Sequence, residues 1–105
     1  MIEVRSHETS NGLRPFDKWL KSLKDEQTQA KIRARISYLR RGIFSLSKSL
    51  GVGLYEIKMN HGLGFRVYDG RIGDKIILLL RGGDKSTQSK DIKKARKYWA
   101  EHTKG

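Results

Sequence analysis

The stretch GLYEIKMNHGLGFRVYD, residues 53–69, decides the fold that the sequence predicts. Apolar and polar side chains alternate on both sides of NHGLG, which is the pattern of two half-buried strands. The loop between them is rich in the Asn and Gly that tight turns need. The stretch therefore predicts a β-hairpin. Its apolar face collects Tyr55, Ile57, Met59, Phe65 and Val67.

The register of this hairpin follows from the same alternation. A pairing that is symmetric about the loop keeps the apolar faces together, and it sets Lys58 against Arg66 and Glu56 against Tyr68 on the other face. Two cations directly opposite each other repel unless an anion lies between them. The pair is therefore either an anion-binding site or part of an ordinary solvated strand face, and the pattern alone favours neither.

The stretch KIILLLRGGDKS, residues 75–86, predicts a third strand next to the hairpin. The strand is apolar on both sides, which is typical of a central or covered strand. It would carry Arg81 and Lys85 to an edge of the same sheet. Gly82 and Gly83 would let the backbone turn closely and expose amide groups to an anion. The alternative, that the two glycines merely turn the chain, stays open at this point.

The N-terminal part predicts one strand and two helices. Ile2 and Val4 alternate with polar residues, as in a short edge strand. An apolar stripe that begins near Pro15 predicts a first helix, and a second stripe predicts another from Asp25 to about Gly42. The few residues between the stripes join the helices into a helical hairpin that lies on the sheet.

Residues 45–53 show no period and are predicted as a loop. Ile92, Ala95 and Trp99 lie at helical spacing and predict a C-terminal helix. Its possible N-terminal caps are Ser86, Thr87 and Ser89.

The predicted element order is β-α-α-β-β-β-α, which indicates an α+β fold. We expect a small, largely antiparallel twisted sheet with an N-terminal helical hairpin and a C-terminal helix. With 105 residues the chain predicts one domain over residues 1–105.

Composition limits the classes of function. Lys and Arg number 23 against 11 acidic residues, a net charge of +12, which favours nucleic acid or an acidic protein as the partner. No apolar run approaches the ~20 residues of a membrane span, so no membrane partner is predicted. The chain has no Cys, and its start, MIEVRSHETS, lacks the apolar segment of a signal peptide. A cytoplasmic protein is expected.

Familiar site motifs are absent from the sequence. GGDKS lacks the spacing of a P-loop, and the Gly-x-Gly of the hairpin joins two strands and does not open a helix. His7, His61 and His102 lie on separate elements without metal-ligand spacing, so no metal site and no cofactor are predicted. His61, in the hairpin loop near Lys58, is either an acid or base or an exposed histidine without a special role.

The run GLYEIKMNHGLGFRVYDGRIGDKIILLLRGGDKSTQSKDIKKA, residues 53–95, resembles the killer-protein branch of the RelE/ParE toxin superfamily, the HigB-like toxins of addiction modules and phages. FDKWLKSL, residues 16–23, and the helix after it fit the same pattern, so the resemblance covers nearly the whole chain. It implies a small twisted sheet with a helical hairpin and a C-terminal helix. It also implies the toxin of a type II toxin-antitoxin system.

The resemblance carries residue roles to this sequence. Arg66 matches the arginine that helps to bind the scissile phosphate, and as a polar-face residue it is expected to contribute little packing. Lys58 and Lys85 match basic positions on either side of it. Two positions depart from the best-known nuclease, because Glu56 stands in place of a lysine and Asp91 or its neighbours stand in place of a base-stacking tyrosine.

The predicted catalytic residues are Lys58, Arg66, Lys85, Glu56 and His61, with Glu56 or His61 as the candidate base. The predicted RNA-binding residues are Arg81, Tyr68, Arg71 and Lys90.

RelE-type members cleave messenger RNA on the ribosome, whereas ParE-type members poison DNA gyrase. The basic cluster favours a metal-independent, ribosome-dependent endoribonuclease; the alternative is a non-enzymatic inhibitor of DNA gyrase. A plain RNA-binding module fits less well, because no aromatic-rich sheet face is predicted. The expected partners are messenger RNA, the ribosome and a cognate antitoxin, a small helix-turn-helix protein whose acidic segment covers the basic cluster.

Overall fold

A computed structural model describes residues 2–60 and 62–104, and within them it shows an α+β fold of five strands and three helices. A short 3-10 turn, Lys85–Thr87, leads into the last helix. In chain order the elements are β1 (Glu3–Ser6), α1 (Pro15–Ser22), α2 (Glu26–Arg40), β2 (Ser47–Gly51), β3 (Leu54–Met59), β4 (Phe65–Ile72), β5 (Ile76–Gly83) and α3 (Gln88–Lys104).

The strands form one mixed sheet in the order β1-β5-β4-β3-β2. β1 runs parallel to β5, and the other three pairings are antiparallel. The expectations of a short edge strand at the N-terminus and of a largely antiparallel sheet are therefore confirmed.

The hairpin register is the predicted one. Met59 pairs with Phe65, and Lys58 pairs with Arg66. Because paired residues of antiparallel strands point to the same face, Lys58 and Arg66 share one face of the sheet. The alternation of apolar and polar side chains was therefore sufficient to predict this register.

The expectation of a loop over residues 45–53 is wrong. Residues 47–51 form β2, an edge strand in which Ser47 pairs with Ile57 and Lys48 pairs with Glu56. A bulge lies between Ser49 and Gly51. The strand escapes a search for apolar alternation because it is short, polar and mostly exposed, as protected edge strands are.

Two apolar cores lie on opposite faces of the sheet. On one face, which we call the α1–α2 face, Phe16 and Leu20 of α1 and Ile32 of α2 pack against the strands. On the other, the α3 face, Ala95 and Trp99 of α3 do so. The predicted helices thus cover β5 from both sides, which explains its apolar run.

The helices begin and end for local reasons. The Asp25 carboxylate accepts a hydrogen bond from the Gln27 amide and caps α2, and Gly42 follows the helix with a φ of 76°. The predicted caps of the C-terminal helix are wrong. Asp84 caps the 3-10 turn by accepting from the Ser86 amide, and α3 continues from that turn at Gln88. No helix among the described residues has the length and apolar character to cross a bilayer.

Gly82 and Gly83 do not turn the chain, because both lie inside β5, paired with Val67 and Arg66. A Cβ at Gly82 would overlap the Trp19 ring, and a Cβ at Gly83 would overlap the Asp91 carboxylate, each at well under 3 Å. The two glycines therefore allow close contact on both faces of one strand.

Candidate functional site

Three basic residues lie close together at the loop end of the β3–β4 hairpin, which we call the hairpin mouth. Lys58 and Arg66 are directly paired on the α3 face. The Lys85 amide donates to the Leu63 carbonyl at 3.3 Å, which brings the turn after β5 to the hairpin loop. A Cβ placed on Gly64 would lie 3.4 Å from Lys85 Cβ and 3.8 Å from Arg66 Nη1. We call Lys58, Arg66 and Lys85 the cation cluster.

The members of the cluster differ in exposure. Lys58 and Lys85 are exposed, whereas Arg66 is 4% exposed. Its Nη1 donates to the Gly64 carbonyl at 3.0 Å, and its Nε lies 3.8 Å from Glu56 Oε2. Among residues 2–60 and 62–104, Arg66 Nε has no hydrogen-bond partner. The expectation that Arg66 contributes little packing is therefore wrong, because the first turns of α3 cover this end of the face.

Glu56 is held beneath the cluster. It is 4% exposed, and its Oε2 accepts a hydrogen bond from Gln88 Nε2 at 2.9 Å. The same Oε2 atom lies 3.8 Å from Arg66 Nε, and this guanidinium is the cation that pairs with Glu56. Fixed between the two, Glu56 orients the guanidinium and is enclosed away from solvent.

Tyr68, the cross-strand partner of Glu56, is fully buried. Burial and the neighbouring Glu56 carboxylate raise the pKa of Tyr68 well above its ordinary value. Its hydroxyl has no hydrogen-bond partner within the described part of the chain. In this conformation Tyr68 is not available for stacking on a base.

Arg81 is bound by the start of α3. Its Nε donates to Asp91 Oδ1 at 2.6 Å, and Thr87 Oγ1 donates to Asp91 Oδ2 at 2.6 Å. Asp91 is 1% exposed, while the Arg81 side chain keeps 24% of its surface. Arg81 thus borders the same face as Arg66, but its charge is balanced inside the protein.

Arg71 lies on the opposite face of the sheet and at the other end of β4. Its guanidinium lies 3.7 Å from the Tyr55 ring centre and 4.1 Å from that of Phe44, and it donates to Ser47 Oγ at 2.7 Å. These contacts tie β2 and the segment after α2 to the sheet. The structure therefore separates Arg71 from the cation cluster.

Asp69, which is fully buried, accepts from Arg71 Nε at 3.3 Å. Burial raises the pKa of Asp69 to about 6, although Arg71 opposes the rise. Its other oxygen, Oδ1, has no hydrogen-bond partner within the described residues. This carboxyl belongs to the core of the fold and not to the cation cluster.

Of the remaining predicted residues, Lys90 is exposed on the first turn of α3, and His61 lies outside the described residues. The structure thus brings together Lys58, Arg66, Lys85 and Glu56, with Arg81 and Tyr68 on the same face. Glu56 and Asp91 pair with arginines inside the protein, whereas Lys58 and Lys85 are exposed beside the half-buried Asp84, so the exposed charge at the hairpin mouth is positive on balance. A positively charged surface attracts anions such as phosphate.

Comparison with known proteins identifies a relative of this chain. No family model matches the chain. An uncharacterized protein of Haemophilus influenzae is 47% identical over 81 residues, which is 77% of this chain and 82% of that protein. This chain belongs to the same family as that protein. A match of this length extends over several elements and not over the hairpin alone.

The sequence did not predict the contacts of two side chains that shape the site of this family member. Gln88 holds Glu56, and Asp91 holds Arg81 across the gap left by Gly83. Both contacts join α3 to strands that are distant in sequence. The local signal for these contacts is that Gln88 and Asp91 are polar and lie on the first turn of α3, before its apolar stripe. Polar residues are also expected at the start of any helix, so this signal does not distinguish the two.

Proposed function

We propose that this protein is the toxin of a type II toxin-antitoxin system and that it acts as a RelE/ParE-like, metal-independent endoribonuclease on ribosome-bound messenger RNA in the cytoplasm. The observation that carries the proposal is the convergence of Lys58, Arg66 and Lys85 at one hairpin mouth. The α+β architecture agrees with the fold that the resemblance implies.

The proposed chemistry uses the RNA's own nucleophile. A base removes the proton of a ribose 2′-hydroxyl, the O2′–P bond forms, the P–O5′ bond breaks, and an acid protonates the leaving 5′-oxygen. The fragments carry a 2′,3′-cyclic phosphate and a 5′-hydroxyl. Negative charge accumulates on the phosphate oxygens in the transition state, so fixed cations beside them lower the barrier.

The three cations have different roles in this proposal. Lys58 and Lys85, which are exposed, contact the phosphate oxygens directly. Arg66 lies below them in a poorly solvated position, where its charge acts more strongly than it would in water. Glu56 and Gln88 orient Arg66. Because Glu56 is enclosed, we assign it a positioning role and do not assign it the role of base.

Positioning by the ribosome supplies much of the rate in this proposal. An oriented 2′-hydroxyl in line with the P–O5′ bond reacts far faster than the same group in flexible RNA. The cation cluster lowers the barrier further by stabilising the negative charge of the transition state. A cognate antitoxin with an acidic segment would inhibit the protein by placing carboxylates where phosphates bind.

One observation favours the alternative function, a non-enzymatic inhibitor of DNA gyrase. Arg66 is enclosed by Glu56 and the Gly64 carbonyl and is not presented to solvent. A purely protein-binding toxin would not need it to be exposed.

A paired experiment separates the two functions. The protein is expressed briefly, RNA 5′-ends are mapped, and purified protein is added to a gyrase supercoiling assay. We expect discrete cuts within translated reading frames and normal supercoiling. Intact messages together with blocked supercoiling would replace the nuclease proposal by the gyrase one.

A further inference from the structure

A groove lies at the edge of the sheet between α1 and α3, where β1 leaves the end of β5 uncovered. β1 pairs with β5 from Ile76 to Leu79, and within the part of the chain that the structure describes no strand pairs with the outer edge of residues 80–83. The volume of the groove is about 400 Å³, within the range of about 300–1,000 Å³ that is usual for ligand pockets. We call it the α1–α3 groove, and its lining includes Leu13, Lys18, Trp19, Arg81, Lys94 and Tyr98.

Two aromatic rings of the groove are held in place by the fold and keep part of their surface. Trp19 lies against Gly82, where a Cβ would overlap its ring, and its ring centre is 5.8 Å from that of Phe16. The Tyr98 ring lies 5.3 Å from the His7 ring, centre to centre. Trp19 and Tyr98 are both half-buried. A ligand that packs on such rings does not have to immobilise them, which favours binding.

The indole N–H of Trp19 is a hydrogen-bond donor without a partner. The ring meets Gly82 through the edge of its six-membered ring, on the side opposite Nε1. Nε1 has no hydrogen-bond partner within residues 2–60 and 62–104, and it is not one of their buried unpaired atoms. The indole N–H of Trp99, by contrast, donates to the Val52 carbonyl at 2.7 Å. Trp19 therefore offers the groove both an aromatic ring and a donor.

The groove is basic. None of the residues that line it is acidic. Lys18 is exposed and Lys94 is half-buried, and neither forms an ion pair with a described residue. The guanidinium of Arg81 is held by Asp91 and adds a third basic residue to the lining. The two lysines are therefore available to an anionic ligand.

We infer that the α1–α3 groove binds a nucleotide unit, with the base against Trp19 and Tyr98 and the phosphate on Lys18 and Lys94. Stacking of bases on aromatic side chains beside cations that bind the backbone is how proteins bind single-stranded nucleic acid. An acidic peptide would pair with the lysines but would leave the aromatic rings uncovered, whereas a base covers them. The volume, near the small end of the usual range, favours one nucleotide over a larger ligand.

This groove is separate from the cation cluster. Trp19 packs on the α1–α2 face, next to Gly82, whereas Lys58 and Arg66 share the α3 face. Binding of a nucleotide in the groove breaks no bond. The inference can therefore be tested whether or not the protein is a nuclease.

The probe is AMP, which carries both a base and a phosphate. Adenosine lacks the phosphate, and ribose phosphate lacks the base. Binding is followed by NMR of the two indole N–H groups, because Trp19 lines the groove and the bound N–H of Trp99 serves as an internal control. We expect AMP to shift the Trp19 signal in a saturable way and to leave the Trp99 signal unchanged. Adenosine and ribose phosphate should each bind at least about tenfold more weakly.

Two neighbouring lysines of α3 supply a matched comparison. Lys94→Ala removes a cation that lines the groove, whereas Lys93→Ala removes an exposed one outside it. We expect the dissociation constant for AMP to rise about fivefold for Lys94→Ala and less than about twofold for Lys93→Ala. Circular dichroism checks that both variants fold.

A short oligoadenylate identifies the source of the nucleotide. If it shifts the Trp19 signal at a much lower concentration than AMP does, and loses affinity in Lys94→Ala, the groove binds a nucleotide within a strand. If AMP binds as tightly as the oligoadenylate, the ligand is a free nucleotide. Either result supports the inference.

Three outcomes would overturn it. Equal losses of affinity in Lys94→Ala and Lys93→Ala would show that net charge alone attracts AMP. Binding of ribose phosphate as tightly as AMP would show that the groove does not recognise a base. The absence of a saturable Trp19 shift with both AMP and the oligoadenylate would remove the site, and this result with the wild-type protein requires no variant.

Discussion

Gly83 lies directly beneath the Asp91 carboxylate, so that a Cβ at position 83 would overlap Asp91 Oδ2. This contact lets the start of α3 approach the end of β5 and lets Asp91 accept from Arg81. These contacts explain why the apolar run of β5 is followed by glycines and charged residues in LLLRGGDKS, residues 78–86. Gly82 and Gly83 leave space for Trp19 and Asp91 on the two faces of the strand. Of the charged residues beside them, Arg81 pairs with Asp91, and Lys85 belongs to the cation cluster.

We expect Gly83→Ala to lower the free energy of unfolding by about 1–3 kcal/mol, because the new methyl group displaces Asp91. Urea denaturation measures the loss. Asp91→Ala removes the carboxylate that the new methyl group would overlap. The loss of unfolding free energy in the double variant should therefore be smaller than the sum of the losses in the two single variants. Strict additivity would show that the close contact does not exist in solution.

Arg66→Ala should destabilise the fold, because it leaves Glu56 buried without its cation. Breaking a buried ion pair from one side costs about 3–5 kcal/mol. Changing Glu56 to Gln in the Arg66→Ala chain removes the stranded charge and should restore part of the stability. Arg33→Ala, at an exposed position, is the control and should leave the melting temperature nearly unchanged. Thermal unfolding by circular dichroism compares the four chains, and an Arg66→Ala protein as stable as the control would contradict the buried pair.

The sequence predicted features that follow from one short stretch, and it missed an exposed strand and a contact between elements that are distant in the chain. The hairpin register followed from alternation within 17 residues, and the pairing of Lys58 with Arg66 followed from the register. β2 was missed because an edge strand that is mostly exposed carries no apolar period. The burial of Arg66 was missed because α3, far along the chain, supplies the cover.

Asp69 should make stability fall as pH rises. Its pKa is raised from the usual 3.8 to about 6, so the folded state favours the neutral carboxyl. The contribution of the neutral Asp69 carboxyl to the free energy of unfolding is complete below about pH 4. It is lost as pH rises through about 6, so the free energy of unfolding falls by about 3 kcal/mol. We therefore expect Asp69→Asn to become more stable relative to the wild type, by about that amount, between pH 4 and pH 7.

Urea denaturation at a series of pH values tests this expectation for Asp69. Asp74→Asn is the matched control, because Asp74 is exposed in the turn between β4 and β5. Its difference from the wild type should change little with pH. Parallel curves for the wild type and Asp69→Asn would show that the buried carboxyl does not titrate as described.

The last prediction concerns the exposed members of the cation cluster. Binding to RNA should weaken steeply with salt, because each phosphate contact releases counterions. Lys58→Ala and Lys85→Ala should each reduce the slope of log affinity against log salt by about 0.7 to 0.9 and should leave the melting temperature unchanged. Lys24→Ala, an exposed lysine between α1 and α2, is the matched control for loss of one charge.

The same variants test the dependence of cleavage on the ribosome. Purified protein is mixed with a labelled message, with and without programmed ribosomes, and the cuts are counted. We expect cleavage only with ribosomes, because the cluster supplies cations and the oriented 2′-hydroxyl comes from the bound message. Lys58→Ala and Lys85→Ala should abolish the cuts, whereas Lys24→Ala should retain them. Equal cleavage of naked RNA would contradict positioning by the ribosome, and full activity of both cluster variants would remove the hairpin mouth as the site.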